Sequence, residues 1–207
     1  MKKFIFYIVA VILIILLSLP WTWQSIYRTF TSNSSANAQL QVRSLFGDYD
    51  VYIDNNLIGE VKDKDIKLFP QIQSGKREIK LVRIVEEKDF FHIFTREIDF
   101  LPNSRVTIEW ESGPTLESSN GMLRYFSPSR SPDGTQIVVI PFPPNAKVYF
   151  DGTESASRQI ILSETKSLNI KVESDEIYES QDIEIELSKI EKNIKHTVEI
   201  YLYRKPV

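Results

Sequence analysis

The stretch "DVYIDNN", residues 50–56, returns as "KVYFDGT" at residues 147–153. The shared core is Val51-Tyr52-Ile53-Asp54 and Val148-Tyr149-Phe150-Asp151, displaced by ninety-seven residues (148 − 51). A carboxylate used twice raises the possibility of one acid/base site built from both copies, which would require the two side chains to approach closely. A short β-branched and aromatic run ending in Asp-Gly or Asn-Asn has a plainer meaning. A type I′ hairpin turn needs two residues at positive φ, and Asp, Asn and Gly supply them, with the Asp side chain bonding the backbone ahead. On this reading Asp54, Asn55 and Asn56 shape the first turn, and Asp151 and Gly152 the second.

The sequence around the pair decides between the two. Gln41–Asn56 aligns without gaps on Val138–Thr153, and Glu78-Ile79-Lys80-Leu81 matches Asn169-Ile170-Lys171-Val172 at an offset of ninety-one (169 − 78). The second copy is therefore six residues shorter between these points. The closing "VTIEW" (Val106–Trp110) matches "VEIYL" (Val198–Leu202). Within each copy, short runs such as "LQVRSL", "REIKLVRIV", "TQIVVIPF" and "SQDIEIELS" alternate or are rich in β-branched and aromatic residues, and turn residues separate them. A repeat this long points to a duplicated domain. The expected fold class is all-β: two tandem small antiparallel β-sandwich domains at residues 39–113 and 135–207, joined by a linker at 114–134. In that linker Met122, Leu123, Tyr125 and Phe126 form an apolar cluster that either docks the linker against a domain, the preferred reading, or makes a partner patch, and Ser131-Pro132-Asp133-Gly134 marks the entry to the second copy.

Pro144-Asn145-Ala146-Lys147-Val148-Tyr149-Phe150-Asp151-Gly152 resembles the signature of the PEGA domain, a Pro-Glu-Gly-Ala turn running into Val-Tyr-Val-Asp-Gly. In the first copy Phe46–Asn55 is more diverged, although "LIGEV" (Leu57–Val61) keeps Gly59, the glycine that follows the family's hairpin. The Thr-Pro after that glycine is missing from both copies, and the family's Gly-x-His is reduced to Gly75-Lys76 in the first and lost in the second. The resemblance covers most of residues 39–207. It implies small sandwiches of carboxypeptidase-regulatory type that serve surface and envelope proteins as accessory or binding modules, with no active site of their own.

The N-terminus, "MKKFIFYIVAVILIILLSLPWTW", carries Lys2 and Lys3 and then twenty uncharged residues, Phe4–Trp23, of which Phe4–Leu19 is the apolar run. A helix of about 20 residues spans roughly 30 Å, the hydrocarbon thickness of a bilayer. Trp21 and Trp23 occupy the interfacial position, and the two lysines hold the start in the cytoplasm. Residues 1–23 are thus expected to be a single-pass transmembrane anchor and the Ser/Asn/Ala-rich residues 24–38 a polar tether, leaving the C-terminal domains outside the cytoplasm. A cleaved signal peptide is the competing reading. Its cleavage-like Ala36-Asn37-Ala38 lies far beyond Leu19.

The remaining chemistry is sparse. A chain with 25 basic and 28 acidic residues and no basic stripe is a poor nucleic-acid binder. It has no cysteine, which excludes thiol catalysis, thiolate metal sites, disulfides and a lipoprotein anchor. Asp48, Asp50 and Asp54 lack the spacing of a calcium loop. His92 and His196 fall in different copies, the first expected half-buried in a strand and the second exposed at a strand start. No catalytic, metal or cofactor-binding residue is assigned. The sequence points to a non-catalytic membrane-anchored envelope protein whose β domains bind or scaffold cell-surface components, with cell-wall polysaccharide or an envelope protein as partner. The alternative is an accessory subunit that positions an enzyme or sensor partner at the membrane.

Overall fold

The computed structural model describes residues 37–85, 90–130, 134–162, 167–186 and 194–205. The expected anchor, with Lys2, Lys3, Phe4, Leu19, Trp21 and Trp23, lies outside these residues, as does nearly all of the tether. Among the described residues the protein is all-β, and no helix is long and apolar enough to cross a membrane.

The first copy contributes seven strands: β1 (Ala38–Ser44), β2 (Tyr49–Ile53), β3 (Asn56–Val61), β4 (Ile66–Ile72), β5 (Gly75–Arg83), β6 (Phe94–Phe100) and β7 (Arg105–Glu111). The second contributes β9 (Thr135–Phe142), β10 (Lys147–Phe150), β11 (Thr153–Glu154), β12 (Gln159–Leu162), β13 (Ser167–Glu173), β14 (Gln181–Glu186) and β15 (Ile194–Tyr201). Between them stands β8 (Asn120–Arg130). Each copy makes its own four-stranded antiparallel sheet, in the order β3-β2-β5-β6 and β11-β10-β13-β14. The remaining strands form one seven-stranded sheet, β12-β9-β15-β8-β7-β1-β4, that runs through both copies.

β8 is the seam. It pairs antiparallel with β7 on one side and with β15 on the other. Successive strand residues face opposite sides of a sheet, and β8 uses both. Leu123 joins the core of the first copy, with Val42, Val51, Ile79, Ile108 and Trp110. Met122 joins that of the second, with Val139, Val148, Ile170 and Val198. The two cores therefore lie on opposite faces of the common sheet. β15 does the same: Val198 and Ile200 belong to the second core, while Tyr201 enters the first and stacks on Phe142 at 4.4 Å and against Trp110 at 5.1 Å. Residues 120–130, expected within a linker, are thus the central strand of the largest sheet. The apolar Met122 and Leu123 of the expected docking patch are instead core residues on its two faces.

Strand pairing also settles how the copies correspond at their ends. Val106 lies opposite Leu40, and His196 lies opposite Ile137, the residue ninety-seven positions after Leu40. The counterpart of Val106-Thr107-Ile108-Glu109-Trp110 is consequently His196-Thr197-Val198-Glu199-Ile200, two residues earlier than the match to "VEIYL". His196 occupies a core position. It is 6% exposed, which corrects the expectation of a solvent-facing residue. The six-residue difference between copies falls after the hairpin, where β3 has six residues and β11 only two.

Candidate functional site

Both sequence-singled aspartates sit in turns. Asp54 and Asn55 have φ of 50° and 63°, and Asp151 and Gly152 have 48° and 82°. These are the paired positive values of a type I′ turn. In the first copy the two turn residues are Asp54-Asn55, and Asn56 already pairs with Ile53 as the first residue of β3. The turn is therefore one residue earlier than Asn55-Asn56, because the ladder resumes at Asn56. The two aspartates then do the same work on the next strand. The Asp54 amide donates to the Glu78 carbonyl at 2.9 Å, and the Glu78 amide donates back to Asp54 Oδ1 at 3.0 Å. The Asp151 amide donates to the Asn169 carbonyl at 3.0 Å, and the Asn169 amide to Asp151 Oδ1 at 2.9 Å. The Glu78 amide, and after it the Arg77 guanidinium 2.9 Å away, holds the Asp54 carboxyl below the usual range. Gly59 lies in β3 at φ 151°, where a Cβ would stand 3.0 Å from the Phe69 ring.

Asp48, near the first turn, is also engaged: it pairs with Lys62 at 3.0 Å and accepts the Asp63 amide at 2.8 Å. Among the described residues no group of three His, Asp or Glu is placed to hold a metal. His92 lies just ahead of β6 and is half-buried, and burial lowers its pKa.

Two polar clusters were not legible as sites in the sequence. The first is centred on Glu199, which is fully buried on the first-copy face of β15. Its Oε1 accepts from Arg96 Nη2 at 2.7 Å, Arg96 Nε at 3.2 Å and the Tyr125 hydroxyl at 3.0 Å. Oε2 accepts from the Tyr201 hydroxyl at 2.9 Å. Arg96 belongs to β6, so the cluster ties the four-stranded sheet of the first copy to the last strand of the second. Burial, reinforced by the Glu199 charge, pushes the Tyr125 hydroxyl up to about 12 and raises Tyr201 further. With four donors on one carboxylate, the cluster is saturated and acts as a clamp.

The second cluster is a cavity of about 400 Å³ on the opposite face of the common sheet. Arg105 and Thr107 from β7, Arg124 and Phe126 from β8, and His196 from β15 line its floor, and the Leu101–Ser104 turn forms one wall. Phe126 stacks on His196 at 4.7 Å with 22° between the rings. Burial, followed by the nearby Arg124 charge, pushes the His196 imidazole down to about 4, so the ring is neutral at pH 7. Its Nδ1 is buried with no hydrogen-bond partner, and so is Arg124 Nε. Unsatisfied buried polar atoms are uncommon in folded proteins. Two of them on one cavity set it apart from the turns and the clamp.

Compared with known proteins, the chain matches no protein-family model and no curated protein sequence. The cavity is the candidate site on geometry alone. Its Arg105, Arg124 and His196 are spread over 91 positions (196 − 105) and meet only because β8 brings β7 and β15 together. Only with the register set by strand pairing does the repeat carry a signal: where the first copy has Val106, the second has a histidine.

Proposed function

We propose that this chain is a non-catalytic, membrane-anchored envelope protein whose extracytoplasmic β body, made of two PEGA-like sandwich units, binds or scaffolds cell-surface components. The observation that carries the reading is the common seven-stranded sheet, which makes one body whose outer strands, β4 and β12, pair on one side only among the described residues. Those strands display apolar side chains to solvent: Ile66 is 52% and Ile161 is 51% exposed. An open edge with exposed apolar residues suits strand addition by an extended partner or adhesion along an envelope polymer. The uncharged run Phe4–Trp23 supports the anchor, and the resemblance of Pro144–Gly152 to the PEGA signature supports an accessory role.

The test is co-sedimentation of the full chain, held in neutral detergent, with purified wall glycan and separately with solubilised envelope protein. Binding to one of them, weakened by Ile66→Lys or Ile161→Lys, is expected. Failure to bind either would overturn the reading.

A further inference from the structure

The cavity on the β7-β8-β15 floor combines excess positive charge with unused donors. Among the described residues Arg105 bonds to neutral partners, with Nε and Nη2 on Gln39 Oε1 at 3.0 and 2.9 Å and Nη1 on Gln41 Oε1 at 3.2 Å. Among the same residues Arg124 makes no ion pair with a carboxylate; Glu109, whose charge acts on it from β7, pairs with Arg43 at 3.6 Å. No Asp or Glu among the described residues lines the cavity. A guanidinium and an imidazole whose buried nitrogens lack partners cost stability unless a ligand completes them. Their position is not forced by the fold either, since the equivalent of His196 in the first copy is the apolar Val106.

We propose that this cavity binds the phosphate group of an organic phosphate, with Arg124 and Arg105 as its cationic partners and His196 as a hydrogen-bond partner on the floor. Phosphate suits the site better than a carboxylate. Donors reach the cavity from three adjacent strands spaced about 4.8 Å apart, which serves an anion with oxygens pointing in several directions. Guanidinium groups match phosphate geometry through paired N–H groups, and the buried Arg124 Nε has no hydrogen-bond partner among the described residues. Phe126 and Leu101 offer an apolar wall to the rest of the ligand, and the volume fits a small organic molecule. The ligand class is thus a phosphate monoester or diester on a compact body, whether a glycerol or sugar phosphate or the headgroup of a lipid.

This inference goes beyond the binding reading, and calorimetry is independent of where the chain resides in the cell. Full-length protein in neutral detergent would be titrated with inorganic phosphate, glycerol phosphate and dihexanoyl phosphatidic acid. Sodium acetate and sulfate serve as anion controls. Saturable binding of at least one organic phosphate is expected, tighter than acetate or sulfate. Arg124→Gln should weaken it about tenfold or more, as loss of a charge-assisted hydrogen bond does. Arg105→Gln, at a more exposed position, tests the same claim if the first variant fails to fold. Lys171→Gln, on β13, should leave binding unchanged. Preference between the glycerol and lipid probes identifies the source of the phosphate, and either result supports the site. No heat with any organic phosphate, equal binding of acetate, or binding unaffected in both arginine variants would overturn it. If wall glycan and envelope protein fail to bind while glycerol phosphate binds, the scaffold reading falls and the cavity assignment stands.

Discussion

Glu199→Ala is expected to destabilise the protein by about 3 kcal/mol, and the structure allows that figure to be assembled. The substitution removes the acceptor of the buried Tyr201 hydroxyl, on a residue that is 5% exposed. A buried donor left unmatched costs about 1–3 kcal/mol. Tyr125 loses its acceptor as well, but its partial exposure softens the effect. Arg96 has 40% of its side chain exposed and rehydrates, so its share is discounted to about 1 kcal/mol or less. Arg96→Met leaves the carboxylate with two tyrosine hydroxyls, and the double-mutant cycle should return a coupling above about 1 kcal/mol. Denaturant unfolding in neutral detergent measures these values, with Trp21 and Trp23 replaced by Phe so that Trp110 alone reports on its contact with Tyr201. Glu97→Ala, at a side chain 67% exposed, should stay within about 0.5 kcal/mol of the parent. A Glu199→Ala cost below about 1 kcal/mol, or zero coupling, would refute the assignment of this cluster as the clamp between the copies.

Gly121→Ala should cost about 2–4 kcal/mol or abolish folding in a thermal melt, because a Cβ on β8 would press on the Glu109 carbonyl oxygen and the Trp110 ring. Stability should also fall as pH drops from about 6.5 toward 4, where unfolded His196 takes up a proton that the buried folded ring refuses. The loss reaches about 3 kcal/mol by pH 4, and His196→Val should remove that acid limb of the stability–pH curve. Asp151→Ala should cost about 0.5–1 kcal/mol by the loss of one backbone-to-carboxylate bond, and Asp54→Ala up to about 1 kcal/mol more because it also loses the Arg77 ion pair, without altering ligand titrations. Urea unfolding of Asp54→Ala together with Arg77→Gln should bring its backbone share level with that of Asp151→Ala, the outcome that duplicated turns require.

The parts of the fold visible in the sequence were those written locally. Asp54 and Asp151 could be read as turn residues because the hairpin, its φ requirements and the alternating strands on either side fall within ten residues of each other. β8 could not. Its run "NGMLRYF" follows a polar segment and precedes Ser-Pro-Ser, and its two neighbours come from different copies, so nothing nearby signals that both faces will be buried. The position of His196 was misjudged for a related reason. Matching apolar letters favoured "VEIYL", whereas the true register follows from pairing with β9, a contact across about sixty residues. Nothing in the sequence marks Glu199, one residue of a closing strand. It is buried because the four-stranded sheet of the first copy reaches over β15, an arrangement that alternation within β15 cannot encode.

The central claim, a β body held outside the cytoplasm by residues 1–23, is tested most directly by protease treatment of intact cells followed by membrane flotation. The account predicts that the uncut chain floats with membranes. External protease should release fragments of the 37–205 body and leave a membrane-bound N-terminal remnant that still begins at Met1. A soluble mature protein starting near Gln39, or a full-length chain protected until the cells are lysed, would contradict it.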